Sequence, residues 1–126
     1  MRILLDTHVF LWFVLGSPKL KRAARKMIED ATAVFVSSAS IWEISIKASL
    51  GKLDVDPALL IEELEAGGFM ELPVRAHHAV GVAALPRVHG DPFDRLLVAQ
   101  ALAEPLALLT ADESLRAYGS AVIVLS

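Results

Sequence analysis

No cysteine occurs among the 126 residues of this chain. Disulfide staples, thiolate metal sites and cysteine nucleophiles are therefore excluded. Long apolar runs are also missing: the longest, Val9–Leu15, is far too short to cross a bilayer, and no signal-like leader is read before it. The expectation is a cytoplasmic protein with no membrane association. Neither G-x-x-x-x-G-K-[ST] nor G-x-G-x-x-G is present, which removes nucleotide hydrolysis by the usual phosphate-cradling loops. A basic excess is lacking too. The formal net charge of −3 argues against a protein that simply coats nucleic acid. No internal repeat, low-complexity tract or linker divides the chain.

What remains is a globular composition, 55% hydrophobic and 21% charged. The length suits one domain, residues 1–126, able to bury its own core. Short apolar runs alternate with helical stretches, the pattern of a wound α/β domain with parallel strands and right-handed crossovers. The first run, Ile3–Leu5, carries no Gly or Pro and reads as a central strand buried on both faces. Further strands are expected at Val34–Val36, Phe69–Leu72, Leu106–Leu109 and Val122–Leu125. Helices are expected over Val9–Leu15, Lys19–Glu29, from a Ser37 or Ser38 cap to about Leu50, from Asp56-Pro57 to Gly67, over Ala76–Leu85, from Asp91-Pro92 to about Ala103, and over Glu113–Tyr118.

Against that frame, acidic residues take up telling positions. Asp6 and Asp112 each follow an apolar strand, and ligands of open α/β sheets bind beyond the carboxyl ends of strands. Glu43 lies inside the helix after the second strand, with Ser40 one turn before it on the same face. Each of these has a plainer reading. Asp6 or Thr7 can simply cap the next helix, and Glu43 can pair with Lys47 at the favourable i,i+4 spacing. Asp91 precedes Pro92 and is the natural N-cap, which leaves Asp94 in the first turn with free oxygens. Asp94 is thus the ligand candidate, Asp91 the structural one.

Gathering Asp6, Glu43, Asp94 and Asp112 costs energy, because like charges a few ångströms apart resist ionisation. A divalent cation removes that cost, and an all-oxygen shell selects Mg²⁺ or Mn²⁺ over zinc. Such an ion activates a bound water and polarises a phosphoryl oxygen, the chemistry of phosphodiester hydrolysis.

Asp6-Thr7-His8 after an apolar strand, Ser37-x-x-Ser40-x-Trp42-Glu43-Ile44, His89-Gly90-Asp91-Pro92-Phe93-Asp94-Arg95-Leu96-Leu97 and Thr110-x-Asp112 together resemble the PIN-domain toxins of the VapC type. The resemblance spans essentially the whole chain with the motifs in order. It implies a three-layer α/β/α sandwich around a central parallel sheet. It further implies an endoribonuclease dependent on Mg²⁺ or Mn²⁺, the toxin of a type II toxin–antitoxin pair, restrained by a cognate VapB-type antitoxin and forming a homodimer. By the same resemblance Asp6, Glu43 and Asp94 form the acidic triad around the metal. Asp112 is the fourth, less constant member, with Glu113 beside it as the alternative, and Thr7 and Ser40 are supporting hydroxyls.

The remaining candidates are less specific. His77, His78 and His89 lack a partner set at zinc spacing and read as surface or packing residues. Arg95 suits either the scissile phosphate or a neighbouring carboxylate. The basic stretch Lys19, Lys21, Arg22, Arg25 and Lys26 suits RNA phosphates or a solvated helix face. The Val9–Leu15 helix is apolar all round. Trp12 or Phe13 is therefore expected to be exposed and to line an antitoxin groove. A non-catalytic partner-binding module on the same fold is the alternative function, disfavoured because all four acids are present. A phosphoacceptor domain fails because Val122–Ser126 holds no lysine and Asp54 does not follow a middle strand.

Overall fold

The structure is a computed structural model describing residues 1–126. Five parallel strands form one sheet: β1 (Arg2–Leu5), β2 (Ala33–Ser37), β3 (Met70–Leu72), β4 (Ala107–Thr110) and β5 (Val122–Val124), in the order β3-β2-β1-β4-β5. The central place of β1 follows from its residues. Ile3, Leu4 and Leu5 are wholly buried, as strands covered on both faces must be.

Side chains alternate across the sheet, so β1 feeds two cores. Ile3 and Leu5 pack with Val34, Val36 and Leu109 under α1 (Thr7–Val14), α2 (Arg22–Asp30) and α4 (Pro57–Ala66). Leu4 packs with Phe35, Leu108 and Val122 against Leu97 and Val98 of α6 (Pro92–Ala103). A twelve-residue helix α3 (Ser38–Ser49) follows β2, and α5 (Ala76–Gly81) rests against α6. This is the three-layer α/β/α sandwich expected from the sequence. Truncating a side chain such as Leu4 to Ala would cost about 3 kcal/mol through lost burial and the cavity left behind.

Chain order and sheet order diverge at β1. It pairs with β2 on one side and β4 on the other: Ile3 lies opposite Val34 in β2 and Ala107 in β4. Such a switch point opens a crevice at the carboxyl ends of the strands.

Several boundaries differ from the sequence expectation for identifiable reasons. The second helix begins at Arg22 rather than Lys19. Ser17 takes the Lys19 N–H on its Oγ (3.2 Å) and the Leu20 N–H on its carbonyl (3.1 Å), so a turn occupies these residues. The Ala76 helix tightens after Gly81 into a 3₁₀ turn, Val82–Ala84. The third strand begins at Met70, not Phe69, and the fourth reaches Thr110, which brings that hydroxyl into the sheet.

The aromatic residues of α1 also depart from expectation. Trp12 and Phe13 are half-buried against the first core rather than exposed. Phe13 meets Phe69 edge-on (5.4 Å), and the Arg25 guanidinium covers its other side, 4.4 Å from the ring centre. Phe69 and Arg25 thus cover Phe13. The exposed apolar residue of that stretch is Leu15 (59%).

Candidate active site

Asp6 directly follows β1 and does two jobs. Its Oδ1 accepts the Val9 N–H (2.9 Å), capping α1, and its Oδ2 accepts from the Thr110 hydroxyl at the end of β4. Each oxygen keeps a free lone pair. Thr110 Oγ1 in turn accepts the Asp112 N–H (3.1 Å). The two strand-end acids are therefore tied through one threonine, which the sequence reading placed in the Thr110-x-Asp112 motif without a role of its own.

Glu43 is carried inward on α3 and is 6% exposed. Its Oε2 pairs with Lys47 (2.9 Å), the i,i+4 bridge foreseen as the plainer reading. Its Oε1 is buried with no partner. An orphaned carboxylate oxygen carries the full cost of lost hydration. Nearby, Thr7 donates to Ser40 Oγ (2.9 Å), and both hydroxyls are buried.

On α6, Asp91 accepts the Asp94 N–H (3.0 Å) as the N-cap, with Pro92 in the first turn. Asp94 is left facing the site. Desolvation pushes its carboxyl up to about 7, and the charges of Asp91 and Asp6 add to the shift. Burial likewise raises Asp6, partly offset by the Thr110 and Val9 hydrogen bonds. In both acids burial disfavours the charged form more than their neighbours favour it.

Asp112 sits at the rim, lowered chiefly by its hydrogen bond from the Ser114 hydroxyl. Glu113 turns outward to Arg116 (2.6 Å).

His89 belongs here as well, although the sequence suggested only a surface or packing role. Its Nε2 lies 3.3 Å from Asp112 Oδ2 and 3.6 Å from Asp94 Oδ2. The Asp91 N–H donates to its Nδ1 (3.1 Å), so a neutral ring carries its proton on Nε2 and is a donor to the two acids. The signal lies in three dimensions, because Asp112 is 23 residues away along the chain.

Arg95 touches no carboxylate. It donates to the carbonyls of Pro86 (2.9 Å), Val82 (3.1 Å) and His89 (3.4 Å) and to the Tyr118 hydroxyl (3.1 Å), bracing the loop that carries His89.

His77 and His78 meet Glu104 away from this site. His78 accepts the Arg75 N–H on Nδ1 and donates from Nε2 to Glu104 (2.7 Å). With that tautomer fixed, coordination through Nε2 would require an imidazolate, so the pair is structural.

The orphaned Glu43 oxygen, the raised Asp94 and the predominance of carboxylate oxygens fit a hard divalent cation. The ligand atoms here that lie within reach of a single ion are those of His89, Asp94 and Asp112, while Asp6 and Glu43 stand close enough to Asp94 for their charges to raise it.

Both the sheet order and this placement of acids at its strand ends match a recognised class. The PIN domain family model matches residues 3–120. The chain belongs to the PIN domain family, and within it to the VapC type. It is 30% identical over 118 residues to Ribonuclease VapC22 of Mycobacterium tuberculosis (strain ATCC 25618 / H37Rv), covering 92% of this chain and 91% of that protein. Its fold is shared with VapBC2 from Rickettsia felis bound to a DNA fragment from their promoter (TM-score 0.70, 14% identity, 99% and 98% of the two chains). It is also shared with FitAcB from Neisseria gonorrhoeae (TM-score 0.67, 22% identity, 98% and 96%).

Proposed function

We propose that this protein is the toxin of a toxin–antitoxin pair and an endoribonuclease that needs Mg²⁺ or Mn²⁺. The observation that carries the reading is a buried acidic site whose Glu43 Oε1 has no partner and whose Asp94 is pushed up to about 7. A polyanionic pocket of this kind, next to a phosphodiester, is reasonable only with a cation between them. The name of the Mycobacterium relative, a ribonuclease, supports RNA as the substrate.

When bound, the cation supplies an activated water and charge neutralisation at the phosphoryl oxygen. The protein's own groups do the rest. Thr110 fixes the Asp6 carboxylate, the Thr7–Ser40 hydroxyl pair fills the floor, and Asp91 orients the first turn of α6 so that Asp94 points inward. His89 holds its Nε2 proton between Asp94 and Asp112, and would be the donor to an oxygen that gains charge as the bond breaks.

Complexes among the structural neighbours support an antitoxin as partner. On this chain the surface suited to it is a pocket of about 250 Å³ lined by Val14, Leu15, Val55 and Leu59, with Asp54 and Glu63 at its edge. An amphipathic helix with basic flanks fits that chemistry. A homodimer is part of the same reading; Trp42, 62% exposed and edge-on to Phe93 (5.3 Å), offers the aromatic surface for it.

The deciding experiment incubates the purified protein with RNA in the presence of Mg²⁺, Mn²⁺ or a chelator. Cleavage confined to the metal-containing reactions, and lost in Asp94→Asn, is expected. Equal cleavage in chelator would overturn the metal-dependent mechanism, and no cleavage of any RNA would overturn the nuclease.

A further inference from the structure

Beside the acidic site, rather than within it, lies a pocket of about 620 Å³. Val82, Ala83 and Val88 supply its apolar surface, and Arg87, His89 and Gly90 its polar one. It shares His89 with the acidic cluster, so an occupant would lie one side chain away from Asp94 and Asp112. Arg95 also contributes to the wall. Its four oxygen acceptors make that wall rigid, and none of them is a carboxylate.

Arg87 is exposed and takes part in no ion pair or hydrogen bond. The backbone N–H groups of Val88, His89 and Gly90 donate to no protein acceptor. Nothing stands within 4 Å of where a Cβ on Gly90 would be, so the loop backbone is open to approach. Two guanidinium groups without acidic partners, in a chain of net charge −3, single out an anionic occupant for this place. The apolar patch adds a surface for a planar ring. RNA is read by splayed, unpaired bases stacked on side chains, including Arg planes, while phosphates are held by Arg and backbone N–H groups.

We propose that this pocket seats one unpaired nucleotide of the RNA flanking the scissile phosphate. Its base lies against Val82, Ala83 and Val88, and its phosphate is held by Arg87 and the loop N–H groups. The inference rests on the nuclease reading above and adds to it the element that chooses where the strand is cut. Arg95 is a positioning residue in this scheme, holding the loop and never touching the nucleotide's phosphate.

Ala83→Trp fills the pocket from an exposed position, and Arg87→Ala removes its free charge. Two measurements on the full chain test the idea. In an Asp94→Asn background without divalent cation, both variants should bind random-sequence single-stranded RNA about fivefold more weakly or worse. Arg87→Ala should also flatten the dependence of log affinity on log salt by roughly 0.7. In the unsubstituted background with Mn²⁺, both should raise KM, keep kcat within about twofold, and redistribute the cut positions along the RNA. Unchanged affinity and an unchanged cut pattern would overturn the proposal. A fall in kcat at constant KM would overturn it too, because the loop would then act on the acids through His89. If the unsubstituted protein cuts no RNA yet both variants weaken binding, the nuclease reading falls while the pocket stands as an RNA subsite.

Discussion

Thr110 donates its hydroxyl proton to Asp6 across 104 residues of chain and at the same time accepts the backbone N–H of Asp112. One wholly buried side chain therefore sets the position of both strand-end acids. Replacing it by Val keeps the shape and leaves a buried carboxylate and a backbone donor each short of a partner. Thr110→Val should lose about 1–3 kcal/mol of stability in denaturant unfolding and bind Mn²⁺ more weakly. Thr110→Ser should keep both properties near the parent values. Equal Mn²⁺ affinity in the Val variant would show that Thr110 does not position Asp6.

Asp94 gives a pH signature. Its carboxyl is raised from 3.8 to about 7 in the folded protein. The protonated form is thus favoured by folding, and the associated stability is present below 3.8 and is lost as pH rises through about 7. Carboxylates lowered by folding, such as Asp112 and Glu104, act the other way, but their contribution is complete once pH has passed their ordinary values of 3.8 and 4.5, at the low end of that range. Without added metal, the melting temperature should fall as pH climbs towards 7, and Asp94→Asn should flatten the slope. Added Mg²⁺ should restore stability most at the high-pH end, where Asp94 is ionised. A metal-free protein that gains stability over the same interval would contradict the assignment.

Asp91 provides the contrast. As the cap of α6 it needs only an oxygen facing the Asp94 N–H. Asp91→Asn should stay within a few tenths of a kcal/mol of the parent, and Asp91→Ala should cost about 1 kcal/mol. RNA cleavage should survive Asp91→Asn and vanish in Asp94→Asn. Equal loss in both would add Asp91 to the ligands.

The basic stretch divides into free and committed charges. Arg25 donates to the Phe13 carbonyl (3.2 Å) and covers its ring, while Lys26 pairs with Asp30 (3.1 Å). Lys19, Lys21 and Arg22 remain. Neutralising two of these three should weaken RNA binding and flatten its salt dependence, with metal affinity unchanged. Arg25→Ala should instead destabilise the α1–α2 packing. An unchanged salt slope would leave Lys19, Lys21 and Arg22 as a solvated face.

For the antitoxin, the informative residue is exposed Leu59 on α4, at the pocket beside Leu15. Leu59→Arg should leave the melting temperature within a degree or two and reduce antitoxin binding tenfold or more, by roughly the energy of an interface anchor. Free-protein cleavage of RNA should be unaffected. Undiminished antitoxin affinity would move the interface elsewhere.

The sequence made some of this legible and concealed the rest for physical reasons. Asp6 could be read because the Ile3–Leu5 run stops at a carboxylate, and Asp91 could be told from Asp94 because Pro92 fixes which of them caps. For Asp6 and Glu43 the plain and the functional readings proved compatible. Asp6 caps α1, and Glu43 pairs with Lys47 through one oxygen while the other stays orphaned. His89 was opaque because Asp112 reaches it only when the chain beyond β4 folds back beside the start of α6. Trp12 and Phe13 misled because hydrophobic periodicity tells how much of a helix is apolar, not which later segment covers it. Here Phe69 and Arg25 contribute that cover.

The crossover that sets β4 beside β1 also fixes an order of events during synthesis. Asp6 leaves the ribosome 104 residues ahead of Thr110, its partner across the sheet. Until β4 emerges, β1 lacks one neighbour, the crevice has only one wall, and Asp6 and Asp112 cannot meet. Local helices can form early, but this pairing is of the long-range, slow kind. A nascent chain that lacks β4 therefore has no complete acidic pocket. The crevice gains its second wall only once β4 has been made and has paired with β1.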